Sequence, residues 1–395
     1  MSRPLILLIL AVVNFSHIID AMIIMPLGDI FVDQFNIGAK EYSYLVGAYS
    51  FGAFISSILG IFFMDRFDRK SALVSLFIGF SIGTFLCSFV QSFDVFIALR
   101  FITGCFGGII GSLIFAIVAD LYMFHERGYA MGVIFGAFSA ASVLGVPFSL
   151  WLAATFDWTM PFLVLGGFSA LMCIVVYLYF PKMRDHLTIE NLNKSHIQVL
   201  KNIYQDSNQV NALILGMVLI LGHYIIIPFI SPVLIKNIGF SQLEISYMFF
   251  FGGLATVISA PFVGKMVDRF GVFPVFVTAV LLSFIPTIAI THMGANPIWY
   301  ALIYSTLFFV FASSRMISAN TLITAAVGTT TRGSFMSIKS ALQQLAIFAA
   351  TIIGGQIVVL EADLWEHYEI LGYLSVGICL LTIPLIRRIK VAAGN

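Results

Sequence analysis

Ionisable side chains interrupt several long apolar stretches of this 395-residue chain, and one of them is an aspartate. Asp20 lies in the stretch NFSHIIDAMIIMP, with His17 one helical turn and Asn14 two turns before it, so the three side chains are expected to share one helix face. A carboxylate in an apolar environment must face a cavity, have a partner or be protonated, because burial of its charge is costly. We therefore predict that Asp20 exchanges a proton or binds a substrate, with Asn14 and His17 beside it. The alternative is a structural ion pair with Arg100 or another polar neighbour.

An arginine occupies another apolar stretch, FFVFASSRMISANTLIT, which contains no acidic residue. A cation at this place, Arg315, suits an anionic group of a substrate or a carboxylate across a cavity. The alternative is bonding to the backbone carbonyl groups of a broken helix. Further polar residues of the apolar stretches are weaker candidates for substrate binding: Asn320, Gln343, Gln344, His223 and Tyr224.

The composition indicates an integral membrane protein. Hydrophobic residues make up 60% of the chain and charged residues 10%, with a mean hydropathy of +1.02, whereas soluble domains have about 25% charged residues. The apolar runs are continuous and long enough for membrane-spanning helices, which need about 20 residues each. The net charge of +1 suggests no nucleic-acid partner, and four cysteines at unrelated spacings indicate neither a disulfide framework nor a metal site. We expect no cofactor.

Charge clusters and turn residues divide the chain into twelve predicted membrane-spanning helices. We number them span 1 to span 12, at residues 4–31, 43–64, 71–91, 94–122, 128–155, 160–180, 211–236, 243–266, 272–292, 297–327, 333–360 and 367–388. The first lacks a small-residue cleavage signal and is interpreted as a retained span. The polar segment 181–210 separates an N-terminal six-helix bundle, 1–180, from a C-terminal one, 211–395. The predicted fold class is therefore an all-α membrane protein made of two six-helix bundles.

The distribution of lysine and arginine predicts how the chain is oriented in the membrane. With the N-terminus inside the cell, the cytoplasmic segments hold fifteen of the twenty basic residues, and the external loops hold only Lys40 and Lys236. We therefore expect both termini and the central loop 181–210 to lie in the cytoplasm.

The second half of the chain repeats landmarks of the first. Span 2 ends in MDRFDRK and span 8 in GKMVDRFG, while HERGYAMG follows span 4 and TTRGSFMS follows span 10. Such pairs are typical of parallel structural repeats, which place a substrate site between the two halves near the middle of the membrane. This organisation favours a transporter of a small molecule that works as a monomer in the lipid bilayer.

These motifs resemble those of the major facilitator superfamily along the whole chain. The family's loop motif between spans 2 and 3 is matched by a group of charged residues: Asp65, Arg66, Arg69 and Lys70. Its second copy is matched at the end of span 8 by Gly264, Asp268, Arg269 and Gly271. Arg100, in LRFITGCFGG of span 4, matches the family's arginine, whose implied role is to bias the protonation of a nearby carboxylate, here Asp20.

Span 5 is similar to the glycine–proline motif of drug and sugar efflux branches. Gly136, Gly145 and Pro147 match that motif. The combination most resembles the bacterial exporters described as arabinose-efflux-like permeases. The resemblance implies a proton-coupled antiporter in the cytoplasmic (inner) membrane of a bacterium, with protons as a second transported species.

The charged loop after span 2 is predicted to form a gate on the cytoplasmic face. Asp65 is expected at the N-terminus of span 11, where free N–H groups favour a carboxylate. Arg69, or Arg66, is expected to meet Asp120 at the end of span 4, a pairing that the family resemblance also implies. These contacts would hold the two halves together only while the cytoplasmic side is closed.

The second copy of the loop motif and span 5 complete the predicted gate. By pseudo-symmetry, Asp268, next to Arg269, is expected to cap span 5. The small residues Gly136 and Gly145 are expected to let span 5 approach its neighbours closely, and Pro147 to bend it.

Three readings of the function remain open from the residues. The first is proton-coupled export of a small organic solute. The second is an importer or facilitator of a small organic or anionic solute, and the third is a membrane receptor that transports nothing. An enzyme is not expected, because the sequence has no nucleophile elbow, no Gly-rich phosphate loop and no intramembrane metal pattern. The central loop is too short for a nucleotide-binding domain, so the energy must come from a gradient or from the substrate itself.

Overall fold

The computed structural model describes residues 2–63, 66–122, 126–184, 187, 196–328 and 332–392. In this part of the chain, twelve helices are long and apolar enough to cross a membrane, which confirms the predicted all-α fold. Spans 1 to 6 are Arg3–Ile23, Ala39–Phe63, Arg69–Leu86, Phe93–Leu121, Arg127–Ala140 continued by Val146–Thr155, and Met160–Tyr179. Spans 7 to 12 are Ser207–Tyr224 continued by Ile227–Val233, Gln242–Phe270, Val272–Thr291, Ile298–Ala325, Arg332–Ile357 and Tyr368–Arg387.

Spans 1 and 7 are interrupted at equivalent places. The predicted span 1 reached residue 31, but its helix ends at Ile23, and a turn at 24–27 leads into a short helix, Gly28–Phe35. Span 7 breaks at residues 225–226 before its second helix. Pro26 and Pro228 lie at these two breaks, and proline has no N–H group for the helical hydrogen-bond ladder. The helix of span 1 is therefore shorter than predicted, and Asp20 lies in its last turn. Span 7 remains one membrane span, Ser207–Ile238, with a break inside it.

Span 5 contains a π-helical turn, Ala141–Gly145, between its two α-helical parts. The turn ends two residues before Pro147. This is the expected local effect of a residue that donates no hydrogen bond and whose ring crowds the carbonyl group four residues earlier. A second π-helical turn, Leu234–Ile238, ends span 7 just after Pro232.

The two halves have the same internal packing. Span 2 packs on span 4, span 3 on span 6 and span 1 on span 5, and the corresponding pairs of the second half are 8 on 10, 9 on 12 and 7 on 11. Between the halves, span 2 packs on span 11 and span 5 on span 8. The fold is therefore two six-helix bundles related by a repeat, as predicted. We call the end of the bundle where span 1 begins and span 12 ends the terminal end, and the other the distal end.

Two segments differ from the predicted loops. The polar segment 181–210 contains a helix, His196–Gln205, and its last residues, from Ser207, already belong to span 7. Span 11 was predicted to reach residue 360, but it ends at Ile357, and an antiparallel hairpin of Val359–Glu361 and Leu364–Glu366 follows at the distal end. The turn of the hairpin places Ala362 and Asp363 at φ angles of 48° and 67°.

The apolar core is continuous between the halves at one end only. At the distal end, buried side chains of both halves form one cluster, which includes Phe31 and Phe96 of the first half and Phe229 and Phe308 of the second. At the terminal end, each half has its own cluster, and Ile61 of span 2 packs against that of the second half. The halves are therefore packed together most extensively at the distal end.

Candidate functional site

Asp20 and Arg100 form a fully buried ion pair inside the first half. Arg100 Nη1 donates to Asp20 Oδ2 at 2.7 Å, Arg100 Nη2 donates to the Asp20 carbonyl oxygen at 2.8 Å, and both side chains are 0% exposed. The hydroxyl group of Thr84 on span 3 donates to Asp20 Oδ1 at 3.0 Å. The guanidinium carbon of Arg100 also lies 4.8 Å from the centre of the Tyr49 ring. Spans 1, 2, 3 and 4 thus meet at this carboxylate.

This geometry shows that Arg100 does not extend to the lipid headgroups at the outer surface. An arginine that reached the headgroups would keep its charged end exposed, but the Arg100 guanidinium points at Asp20 inside the bundle. Charges taken out of water cost several kcal/mol each unless they are paired and hydrogen-bonded. Because both carboxylate oxygens of Asp20 have a donor, the pair satisfies this condition in the present conformation.

Asn14 and His17 form a second polar cluster on span 1, next to the ion pair. Asn14 Nδ2 donates to the Ile134 carbonyl oxygen of span 5 at 3.0 Å. His17 Nε2 lies 2.9 Å from Asn14 Oδ1, so this ring nitrogen carries the hydrogen atom. The sequence placed these residues on one helix face with Asp20, yet the hydrogen bonds assign them to a separate pair that links span 1 to span 5.

Arg315 is the buried cation of the second half. Its side chain is 1% exposed. Nη1 lies 3.2 Å from Ser283 Oγ and 3.0 Å from Cys379 Sγ, and Nη2 lies 3.4 Å from His223 Nδ1. His223 in turn stacks on the ring of Phe308, with centroids 5.3 Å apart. Arg315 is therefore enclosed by spans 7, 9, 10 and 12 in this conformation, and its partners are side chains rather than the backbone carbonyls of a broken helix.

Lys339 and Asn320 form a further buried pair in the second half. Lys339 Nζ donates to Asn320 Oδ1 at 2.5 Å, and Lys339 is 6% exposed. Gln343 and Gln344 follow Lys339 by about one turn of span 11; they are half-buried and make no side-chain hydrogen bond within the described residues. The remaining candidate, Tyr224, packs edge-on against the His223 ring, with centroids 5.5 Å apart.

The distal end is closed by contacts that the sequence did not predict. The Tyr42 hydroxyl group of span 2 lies 3.1 Å from the Met25 carbonyl oxygen and 2.7 Å from the Pro228 carbonyl oxygen, so it joins the breaks of spans 1 and 7. Its ring packs edge-on against Phe229 and against Trp365 of the hairpin. Tyrosine at position 42 carries no distinguishing signal in the sequence, because its partners are carbonyl groups.

A charged cluster lies beside Tyr42. Lys236 Nζ of the second half lies 2.6 Å from Asp33 Oδ1 and 3.9 Å from Asp29 Oδ1 of the first half, and 2.8 Å from Asp363 Oδ1 of the hairpin. Burial raises the pKa of Asp29 to about 6; Lys236 opposes this change, while the charges of Asp33 and Asp363 add to it. The sequence shows that Asp29 and Asp33 are one helical turn apart. It does not show that their partner is Lys236, more than two hundred residues later.

One of the contacts predicted for the charged loop after span 2 is present. Arg69 Nε donates to Asp120 Oδ2 at 3.1 Å, which confirms that pairing, whereas Arg66 is exposed. Asp68 accepts hydrogen bonds from the Ser71 hydroxyl group at 2.9 Å and from the Met183 N–H group at 2.7 Å. The motif therefore ties the start of the central segment to span 3.

Asp268 and Arg269, the gate residues predicted at the end of span 8, form no hydrogen bond or ion pair with span 5 among the described residues. Asp65 lies outside the described residues. Asp268 and Arg269 are exposed at the end of span 8, and Asp268 has no hydrogen-bond or ion-pair partner in the part of the chain that is described, so the predicted cap on span 5 is absent. Such contacts were predicted only for the state that is closed on the cytoplasmic side, whereas the halves are here packed together most extensively at the distal end.

The glycine–proline motif of span 5 works differently at its two glycines. A Cβ atom at Gly136 would meet nothing within 4 Å, so no close approach requires glycine there. At Gly145 a Cβ atom would overlap Ile19 Cδ1 of span 1. The close approach of span 5 to the other half involves a glycine of span 8 instead. At Gly253, a Cβ atom would be 3.1 Å from Val143 Cγ2 of span 5.

Comparison with known proteins agrees with this architecture. A model of the Major Facilitator Superfamily matches residues 10–204 and 212–392. The uncharacterized MFS-type transporter YceJ of Bacillus subtilis is 21% identical over 381 residues, which cover 94% of this chain and 93% of that protein. The probable sugar efflux transporter of Mannheimia succiniciproducens is 22% identical over 204 residues, covering 52% of this chain and 50% of that protein. The crystal structure of a D-xylose–proton symporter matches with a TM-score of 0.79 and 17% identity, over 99% of this chain and 98% of that one.

Two bundles of six helices, with polar sites buried inside each, define a membrane transporter of the secondary type rather than an enzyme. Because the family model matches both halves, the chain belongs to the Major Facilitator Superfamily. The two relatives named above are both bacterial, an uncharacterized MFS-type transporter and a probable sugar efflux transporter. The likeness to the symporter establishes the fold alone.

Proposed function

We propose that the protein couples proton movement to the export of a small organic solute by alternating access, with Asp20 as the proton-binding group. The observation that carries this proposal is the Asp20–Arg100 pair, fully buried and 2.7 Å apart. The name of one similar protein, a probable sugar efflux transporter, supports the export of a small solute.

The coupling follows from the electrostatics of the pair. A proton on Asp20 removes the negative charge that compensates Arg100 and leaves a buried cation whose partner is neutral. Breaking a buried pair in this way costs about 3–5 kcal/mol, so the protonated protein favours an arrangement in which Arg100 finds water or another partner. Since Asp20, Thr84 and Arg100 belong to spans 1, 3 and 4, that rearrangement moves helices of the first half against each other. Proton binding and conformational change are thereby linked.

The orientation and direction are parts of the same proposal. The lysine and arginine distribution places the terminal end in the cytoplasm of a bacterial cell, with the protein in the inner membrane. The closed distal end is then external, and the present conformation faces the cytoplasm, from which an exporter takes its solute. The membrane topology is tested by labelling single cysteines at exposed positions of the hairpin and of the segment 196–205 from outside intact cells.

The test of the coupling uses purified protein in liposomes with an imposed pH gradient. Wild-type protein is expected to move solute against its concentration difference, and Asp20→Asn is expected to lose accumulation while it keeps solute exchange without a gradient. Asp94→Asn is the matched control, because it neutralises an exposed aspartate of the same half. Full gradient-driven accumulation by Asp20→Asn would show that the coupling group is elsewhere.

The same measurement separates the alternatives. An importer accumulates solute on the side to which protons move, and an exporter on the opposite side. A receptor binds solute but gives no flux in either direction. The direction of the accumulated solute relative to the gradient therefore decides between them.

A further inference from the structure

The two halves differ in how their buried arginines are compensated. Arg100 of the first half has the Asp20 carboxylate at 2.7 Å. Arg315 of the second half, 1% exposed, has Ser283, Cys379 and His223 as partners, none of which carries a negative charge. Its Nε–H group, like that of Arg100, has no hydrogen-bond partner among the described residues. The second half thus holds a buried cation whose charge and hydrogen-bonding capacity are only partly satisfied.

No carboxylate of the second half's membrane body is placed to compensate it. Within spans 7 to 12, whose residues the structure describes, the acidic residues are Glu244, Asp268 and Glu369, all in the first or last turn of a span. Glu244 is occupied in the capping box of span 8. A buried cation without a counter-charge is strongly unfavourable in a membrane protein, so such residues are as a rule functional.

A second buried cation lies near the first. Lys339 donates to Asn320, which is five residues after Arg315 on span 10. Five residues of helix correspond to about 8 Å along its axis. Lys339 is 6% exposed and lies in the third of span 11 nearest the terminal end, and the side chains of Gln343 and Gln344 have no hydrogen-bond partner within the described residues. The two cations and the two free amides therefore belong to one polar stretch of spans 10 and 11, which extends from the terminal end to the level of Arg315 and which we call the polar path.

We propose that this path binds the anionic group of the transported solute, which is a small organic anion carrying a carboxylate or a phosphate. This inference names the substrate class and rests on the proposed transport function. The guanidinium group of Arg315 has the planar arrangement of donors that binds such groups with two hydrogen bonds, and Lys339 adds a point charge. The anion replaces a neutral partner, His223 at Arg315 or Asn320 at Lys339, so it gains a charge-assisted hydrogen bond without separating an existing ion pair.

With this site, the two halves have different roles in transport. The first half carries the compensated pair and the proton, and the second half carries the uncompensated cations and the anionic group. An exchange of a proton for an organic anion then needs no single residue to bind both.

The test is a binding measurement with matched charged and neutral probes. Gluconate and glucose 6-phosphate are each compared with glucose, and lactate with lactamide, by isothermal titration and by the shift of the unfolding temperature of the purified protein at pH 7. At least one anion is expected to bind about tenfold or more tightly than its neutral partner, since hydrogen bonds to charged groups contribute more than neutral ones. The difference between gluconate and glucose 6-phosphate distinguishes a carboxylate from a phosphate.

Variants assign the binding to the site. Arg315→Gln and Lys339→Gln are each expected to lower the affinity for the preferred anion about tenfold or more, and Arg315→Lys less than Arg315→Gln. Lys265→Gln, which removes an exposed lysine of the same half, is the control. If Arg315→Gln does not fold, as judged by gel filtration and helical circular dichroism, Arg315→Lys and Lys339→Gln still test the site.

Two results would overturn the inference. One is that no anion of the panel binds better than its neutral partner. The other is that an anion binds better but keeps its affinity in Arg315→Lys and Lys339→Gln. Because the assay contains no proton gradient, its outcome is independent of whether Asp20 is the coupling group, and Asp20→Asn is expected to retain anion binding.

Discussion

Closure of the distal end should depend on pH through Asp29. This carboxylate is buried between the halves, 3.9 Å from Lys236 Nζ, with Asp33 and Asp363 bound to the same ammonium group. Three carboxylates thus share one positive charge. The nearby Tyr42 is a neutral phenol between pH 5 and pH 7. Burial is the main reason why the pKa of Asp29 is raised from 3.8 to about 6.

The sign and size of the effect follow from this pKa. A raised pKa means that the closed state binds the proton more tightly than the open state, so closure is favoured as the pH falls and loses stability as the pH rises towards 6. The rise of the Asp29 pKa from 3.8 to about 6 destabilises the closed state by about 3 kcal/mol above pH 6. Between pH 7 and pH 5, the ratio of closed to open molecules should rise about tenfold, since about 1.3 kcal/mol of this penalty is removed.

The assay is the distance distribution between two spin labels across the distal end. Gln34→Cys and Glu366→Cys place labels at exposed positions of the first half and of the hairpin, in a background with the four native cysteines replaced by serine. The short-distance population is expected to grow from pH 7 to pH 5. Asp29→Asn should hold the distal end closed at both pH values, whereas Asp94→Asn should respond as the wild type does. An unchanged pH response in Asp29→Asn would refute the reasoning.

Two further predictions concern the packing of the bundle. Tyr42→Phe removes the hydroxyl group that joins the breaks of spans 1 and 7. In the same assay, it should destabilise the closed state by about 1 kcal/mol, which lowers the ratio of closed to open molecules about fivefold. Tyr44→Phe, at an exposed position, should leave this ratio unchanged. Gly145→Ala should lower the free energy of unfolding by about 1–3 kcal/mol through overpacking against Ile19, and with it the melting temperature. Gly136→Ala, which meets open space, should not lower the melting temperature, and equal melting temperatures of the two variants would contradict the packing.

The sequence predicted the fold and the buried ion pairs best, for a physical reason. A charge in an apolar span has few ways to be compensated, so Asp20 and Arg100 were natural partners before any coordinates were known. The pairing of Arg69 with Asp120 was expected from their shared place on the predicted cytoplasmic face and from the family resemblance. The length of each continuous apolar run predicts a membrane-spanning helix directly, which is why the number and order of the spans agree with the structure.

Other features depend on tertiary contacts that no local pattern encodes. Pro26 lies within the predicted span 1, but the chain there folds into a turn and a second helix that packs on the other half. Tyr42 and Lys236 bind groups that lie far away in the sequence, and their residue types occur equally on exposed surfaces. The hairpin at 359–366 has strands of three residues, too short for an alternating pattern to be visible.

The central claim is that Asp20 carries the proton, and discharge of a pH gradient tests it most directly. Proteoliposomes loaded with a pH-sensitive dye receive an imposed gradient and then glucose, gluconate, glucose 6-phosphate or lactate. At least one of these solutes is expected to accelerate the loss of the gradient with wild-type protein and with Asp94→Asn, but not with Asp20→Asn. Solute-dependent discharge by Asp20→Asn at the wild-type rate would contradict the account.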